Sequence, residues 1–259
     1  MLAAFRLALR RALLACAITI PLVACAQLPP PVLAEQIDLI RHGESEDNPD
    51  TGQPVVQLSG SIRSSSGKVL SGWNAVPLTM RGVHEALLAG EALKAREPQS
   101  AAPLRQALWL YSPQLRTQQT LAGVLAGAGI AEPAMLVAAR PDTRLMERSA
   151  GSLTNLTWTQ AGAVWDEMKK GRDAAVFKSA AAGYPNGESL EAVYRRASLA
   201  VDEALRENRR VVVISHELTI KALLSHLLKQ RIDDAAFAYK VENGKAITLR
   251  RTGDQWVMD

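Results

Sequence analysis

The sequence predicts an α/β domain built as three layers, with a mostly parallel sheet between helices. Three observations lead there. Apolar runs of strand length alternate with amphipathic stretches from about Glu35 onward, the pattern of strand–helix units around a parallel sheet. The run RVVVIS, residues 210–215, is almost wholly β-branched, as in strands buried on both faces. The most chemically distinctive residues follow such runs directly, at the strand ends where open α/β sheets hold their ligands.

Taken in order, the chain opens outside that domain. Arg6, Arg10 and Arg11 precede a short apolar stretch, residues 12–24, too brief for a comfortable membrane span and suited to the centre of an export signal. The run LVAC, Leu22 to Cys25, resembles the lipobox of bacterial lipoproteins, in which the cysteine is acylated and becomes the new N-terminus. Acyl chains there would hold the protein on a membrane, each buried CH₂ contributing about 0.8 kcal/mol. Cleavage after Ala26 is the competing reading, since Ala24 and Ala26 also satisfy the small-residue rule; the lipobox is preferred because Cys25 otherwise has no role. Residues 1–25 are read as a signal peptide with lipobox, 26–34 as a proline-rich tether and 35–259 as the domain. The expected location is the bacterial cell envelope or periplasm, with attachment to the membrane through lipidated Cys25. Both cysteines, Cys16 and Cys25, lie in the leader, so the domain has no disulfide, thiol nucleophile or cysteine metal site.

Within the domain, IDLIR is a short buried strand. Residues 49–72 are rich in Gly, Ser and Pro without a sustained period and read as an inserted loop of the kind that is mobile or forms a lid. Apolar spacing predicts a helix from about Arg81 to Arg96, stopped by Pro98. QALWLYS is a strand, and PQLRTQQTLAGVLAGAG a helix with Ser112 as its cap and Pro113 in its first turn. AMLVAARP is read as a further strand, leading into a loop that holds LMERSAG. Helices follow at Thr157–Lys170 and Ser189–Glu207, the second with Leu190, Val193, Ala197, Val201 and Ala204 at helical spacing. RVVVIS is the central strand, ELTIKALLSHLLK a helix, and AITLRRTGDQWVMD an edge hairpin. No internal repeat is found.

Composition narrows the function. With 47% hydrophobic and 22% charged residues, the chain can bury a core and is not a disordered or fibrous protein. The net charge of +4 fits a protein that handles anions, although the leader supplies part of it. Without a clustered Lys/Arg stripe there is no case for nucleic acid.

Of the four histidines, His42 follows the strand IDLIR and His216 follows VVVIS, whereas His84 and His226 fall inside helices and read as surface or boundary residues. Arg41 precedes His42, Gly43 lets the backbone turn closely around a ligand, and Asn48 can supply an amide donor. Arg116 stands just beyond another strand. Two arginines and two histidines can therefore converge at strand ends. The planar fork of arginine matches phosphate, so phosphate is the inferred ligand. Histidine can attack phosphorus to form a covalent phosphoramidate, and Glu147 in LMERSAG can supply the proton that a leaving alcohol needs. Gly187 and Glu188 in YPNGES read as a turn and a helix start, with Glu188 near the positive end of the dipole. Trp73 and Tyr184 read as packing residues.

The blocks RHGESEDN, WNAVPLTMRG, SPQLRTQQT, ERSAGSL, YPNGES and VVVISHE occur in the order found in the histidine phosphatase superfamily, the phosphoglycerate mutase-like fold, and the resemblance runs from about Ile37 to Leu227. It implies His42 as the phosphorylated nucleophile; Arg41, Arg116 and His216 as the phosphate pocket, with a contact from Asn48; and Glu147 as the proton donor. The chain departs from the family pattern in three places. Ala75 replaces a common Asp, Glu217 and Leu218 replace small residues after the second histidine, and the 49–72 loop is longer than in many members. The expected function is phosphomonoester hydrolysis on a small phosphorylated substrate or a phosphoprotein, with no cofactor and no metal. The runner-up is phosphoglycerate mutase-type transfer, against which the segment ERSAGSLTNLTWTQ is short for a mutase. A non-catalytic envelope protein binding a phosphorylated ligand is the alternative from another class.

Overall fold

The computed structural model describes residues 33–46, 76–97, 103–154, 180–233 and 238–259, all within the compact unit Pro31–Asp259. The expected leader with Cys25, Asn48, the expected 49–72 loop, Trp73, Ala75 and the expected helix Thr157–Lys170 lie outside the described residues.

Among the described residues the elements, in chain order, are β1 (Gln36–Arg41), α1 (Met80–Ala95), β2 (Leu108–Tyr111), α2 (Leu115–Gly127), α3 (Pro133–Ala138), β3 (Arg140–Pro141), α4 (Leu190–Glu207), β4 (Arg210–Ser215), α5 (Glu217–Leu227), β5 (Ala246–Thr252) and β6 (Gln255–Met258). The strands form one six-stranded sheet in the order β3-β2-β4-β1-β5-β6. β1, β2, β3 and β4 pair in parallel, and β5 joins β1 antiparallel with β6 outside it. That is the mostly parallel sheet with an edge hairpin expected from the sequence.

The β-branched run takes the centre for the reason its composition suggests. Every residue of β4 is buried, and its side chains alternate between two cores. Val211 and Val213 join Leu39 of β1, Ala197 and Val201 of α4, and Ile220 and Leu223 of α5. Val212 and Ile214 join Ile40, Ala86 and Leu93 of α1, and Val124 and Leu125 of α2. Each fully buried aliphatic side chain contributes about 1.5–3 kcal/mol, so both faces hold the sheet and three layers result.

Two readings need correction. AMLVAARP is not a strand: residues 133–138 form α3, with Pro133 in its first turn, and only Arg140 and Pro141 pair with β2. Proline pre-sets φ for a first helical turn, and Ala, Met and Leu are good helix formers. None of these six residues is buried, so their apolar character does not mark a core strand. Ser112 is not the cap of α2. The cap position is Gln114, without a side-chain cap bond, and Ser112 turns into the sheet's C-terminal end.

A buried ion pair was not legible at all. At the opposite end of β1 and β4, Arg210 and Asp38, with side chains 1% and 0% exposed, pair at 3.1 Å. Gln36 and Thr248 donate to the same carboxylate, so this charge is taken out of water with its lone pairs satisfied.

Candidate active site

The C-terminal ends of β1, β2 and β4 lie side by side, because Tyr111 pairs with Ile214 and Arg41 with Ser215. Each strand therefore delivers its next residues to one place. His42 leaves β1, Ser112 leaves β2 and His216 leaves β4, and all three are buried. The two imidazole rings stand 5.1 Å apart between centroids, tilted by 59°.

The His42 loop is held from several sides. Gly43 packs against Gly82 at the start of α1, where a Cβ on Gly43 would lie 2.2 Å from the Gly82 carbonyl oxygen; only glycine permits that approach. The Gly43 N–H donates to Thr120 Oγ1 at 3.1 Å, and Thr120 donates in turn to the Arg116 carbonyl at 2.7 Å. Asn243 Nδ2 and the Gly244 N–H donate to the His42 carbonyl. The ring itself is oriented by the Gly43 carbonyl, 2.8 Å from Nδ1. A carbonyl can only accept, so Nδ1 carries the proton and Nε2 carries the lone pair.

Arg116, 1% exposed, places its Nε 3.3 Å from that Nε2. Burial pushes the His42 imidazole well below its ordinary pKa, and Arg116 and then Arg41 push it further, against the opposing bond to the Gly43 carbonyl. The ring is therefore held neutral, with its Nε2 lone pair free to act. Arg41 contributes more weakly than Arg116, although adjacency in sequence suggests the reverse. His216 is pushed well below the ordinary range as well, by burial first and then by Arg116, His42, Arg196 and Arg41.

Arg41 donates through Nη1 to the Val241 carbonyl at 2.8 Å and pairs with Glu217 at 3.0 Å. Among the described residues its buried Nε has no hydrogen-bond partner, and neither does His216 Nδ1. Glu217 also pairs with Lys221 at 2.7 Å, so the residue that departs from the family pattern is tied to two cations. Arg41 and Glu217 also wall a cavity of about 950 Å³ between α1 and residues 238–246.

Glu147 reaches the site from the loop after β3. Its N–H donates to Gln114 Oε1 at 3.0 Å, and its Oε1 accepts from the Arg148 N–H at 2.8 Å. Burial raises its carboxyl above the ordinary range, partly opposed by the Arg148 bond, Arg116 and Arg41 and reinforced by Glu217. The cations alone would keep it ionised; burial reverses the sign.

Sequence reasoning missed the brace behind that loop. Glu188 accepts from Arg196 Nε and Nη2, both at 2.8 Å, and from the Ser149 N–H at 2.9 Å. Arg196 also donates to the carbonyls of Arg144 and Glu147. Burial pushes Glu188 up, but these bonds and the charges of Arg196 and Arg148 hold it below the usual carboxylate range. Glu188 is thus more than a helix-start anion. Arg148 lies over the Tyr184 ring at 4.3 Å and donates to the Ala182 and Glu188 carbonyls. His84 is exposed on α1. His226 pairs with Asp202 at 2.8 Å and lies within reach of Tyr194, away from the site.

The structure therefore brings Arg41, His42, Arg116, Glu147 and His216 to the sheet's C-terminal end, whereas Asn48 lies outside the described residues. Residues 37–259 match the histidine phosphatase superfamily (branch 1). The chain is similar to the 2,3-bisphosphoglycerate-dependent phosphoglycerate mutase of Cytophaga hutchinsonii, at 26% identity over 202 residues, 76% of this chain and 79% of that one. It is similar to the enzyme of the same name from Methylobacterium radiotolerans at 27% identity over 231 residues, 85% and 91% of the two chains. Its fold resembles that of a mycobacterial glucosyl-3-phosphoglycerate phosphatase solved with VO3, with a TM-score of 0.61, 23% identity and coverage of 87% and 98%.

Proposed function

The chain belongs to the histidine phosphatase superfamily, and on that premise we propose that it hydrolyses phosphate monoesters through a phosphohistidine on His42. The observation that carries the reading is the His42 ring, with Nδ1 held by the Gly43 carbonyl and Nε2 beside a buried arginine. Nε2 attacks phosphorus, the P–O ester bond breaks, and the departing oxygen takes a proton from Glu147. The alcohol leaves. The Glu147 carboxylate then takes a proton from water as its oxygen attacks phosphorus, the P–N bond breaks, and inorganic phosphate departs with the Nε2 lone pair restored. Arg116 and Arg41 neutralise the phosphoryl oxygens throughout, assisted by His216 and by Asn48. Substrates are small phosphate esters or a phosphoprotein.

Alkaline quench during turnover, followed by mass spectrometry, should find phosphate on His42, because acid destroys a phosphoramidate. Phosphate on another residue, or full activity in His42→Ala, would refute the assignment. The names of the two curated relatives favour a second reading, transfer between positions of a phosphoglycerate. Supplying 3-phosphoglycerate with 2,3-bisphosphoglycerate separates the two: 2-phosphoglycerate without phosphate release supports the mutase, and phosphate release supports hydrolysis.

The same proposal includes export and attachment to the bacterial envelope through acylated Cys25, supported by LVAC after a short apolar stretch. Cys25→Ser should free the protein into the soluble envelope fraction or leave an unprocessed precursor. A processed variant that fractionates like wild type excludes this anchor.

A further inference from the structure

The hydrogen bond between His216 Nε2 and Ser112 Oγ, 2.9 Å long and wholly buried, raises a question of direction, since a hydroxyl can donate or accept and a neutral imidazole has one nitrogen of each kind. The surroundings of Ser112 answer it. Among the described residues its hydrogen has two candidate acceptors, His216 Nε2 at 2.9 Å and Gln114 Oε1 at 3.4 Å. The second is long for an O–H···O bond, and Gln114 Oε1 already accepts the Glu147 N–H at 3.0 Å. The Ser112 lone pairs receive the Gln114 N–H at 3.5 Å. The shorter contact to the less committed acceptor takes the hydrogen.

We propose that Ser112 donates its hydroxyl proton to His216 Nε2 and so fixes the tautomer in which His216 Nδ1–H is a donor to the phosphoryl group. Ser112 acts through His216 and is a positioning residue. The consequence for the ligand rests on the phosphatase reading above, while the tautomer itself does not. His216 Nδ1 is buried with no partner among the described residues, and the ring packs against His42. With the proton on Nδ1 that atom is a donor awaiting an acceptor, which an anionic oxygen supplies. With the proton on Nε2 it would present a lone pair to the same anion and repel it. Ser112 reaches this place because β2 and β4 pair in register, and its N–H bonds the Ile214 carbonyl at 3.0 Å.

The test is long-range ¹H–¹⁵N spectroscopy on the full-length protein, whose four histidines are assigned by single substitutions. In wild type His216 should carry its proton on Nδ1. Ser112→Ala should lose that preference, and Ser112→Thr, which keeps the hydroxyl, should restore it. With p-nitrophenyl phosphate as substrate and inorganic phosphate as inhibitor, Ser112→Ala should weaken phosphate binding and kcat/KM on the order of 10- to 100-fold, as for a lost hydrogen bond to a charged group, and Ser112→Thr should recover most of it. A proton on Nε2 in wild type, or an unchanged tautomer in Ser112→Ala, overturns the proposal even if the enzyme turns over. The expected tautomers without any turnover would sustain the role of Ser112 and refute the phosphatase reading instead.

Discussion

Replacing Glu147 with Gln should affect activity and stability in opposite directions. The substitution keeps the shape and keeps a carbonyl for the Arg148 N–H, and the backbone anchors to Gln114 and Arg196 do not involve the side chain. The loop should therefore stay in place and only the transferable proton be lost. General acid catalysis contributes about 10²- to 10⁴-fold where the leaving group is poor, so an alkyl phosphate should lose that much in kcat/KM, while p-nitrophenyl phosphate, whose leaving group needs little protonation, should lose far less. Stability should move the other way. Burial raises this carboxyl above its ordinary value of 4.5, so below that value the folded chain bears no cost, and the stability is lost as pH rises through the folded pKa. At neutral pH Glu147→Gln should therefore be more stable than wild type, and the gap should close below pH 4.5. Steady-state kinetics on the two esters and calorimetry at two pH values suffice. Equal slowing of both esters removes Glu147 as the proton donor and directs attention to Glu44 or Glu217; a variant no more stable than wild type at neutral pH refutes the burial argument.

Arg116→Ala should slow both esters by similar factors, about 10²- to 10³-fold as for loss of one preorganised donor, because it acts on phosphoryl oxygens whatever alcohol departs; unequal factors would contradict this. Since His42 is held neutral well below 6.5, the acid limb of kcat/KM should fall below the ordinary imidazole range, and a limb at 6.5 or above would refute a buried neutral nucleophile. For the same reason stability should decline as pH falls below 6.5, where the unfolded chain binds protons that the folded His42 and His216 do not. Asp38→Ala, which removes the fully buried partner of Arg210 and leaves it Glu97 at 3.5 Å, should cost up to about 3–5 kcal/mol in denaturant titration while leaving the activity per folded molecule intact, because the pair lies toward the opposite end of β1.

What the sequence determined by itself were features encoded locally. The β-branched run 210–215 had to be a doubly buried strand, helical spacing placed α1, α4 and α5 within a residue or two, and strand ends followed by Arg-His or His marked the candidate site before any contact was known. The short apolar stretch at residues 12–24 is legible in the same way, because hydrophobic length and period are properties of neighbouring residues. Tertiary structure decided whatever depends on partners far along the chain. The apolar run within 133–138 reads as a strand from the sequence, yet it forms a helix that the closed sheet leaves on the surface. Asp38 looks like a polar interruption of a strand until Arg210, brought alongside by β4, makes it half of an ion pair. Ser112 reads as a cap until strand register sets it against His216, and Glu188 reads as a helix-start charge until Arg196 and the Glu147 loop close on it. The carboxyl of Glu147 is the sharpest case. Arg148, Arg116 and Arg41 favour the carboxylate, yet burial outweighs them and raises its pKa, because withdrawal from water acts through the surrounding fold and no local stretch of sequence records it.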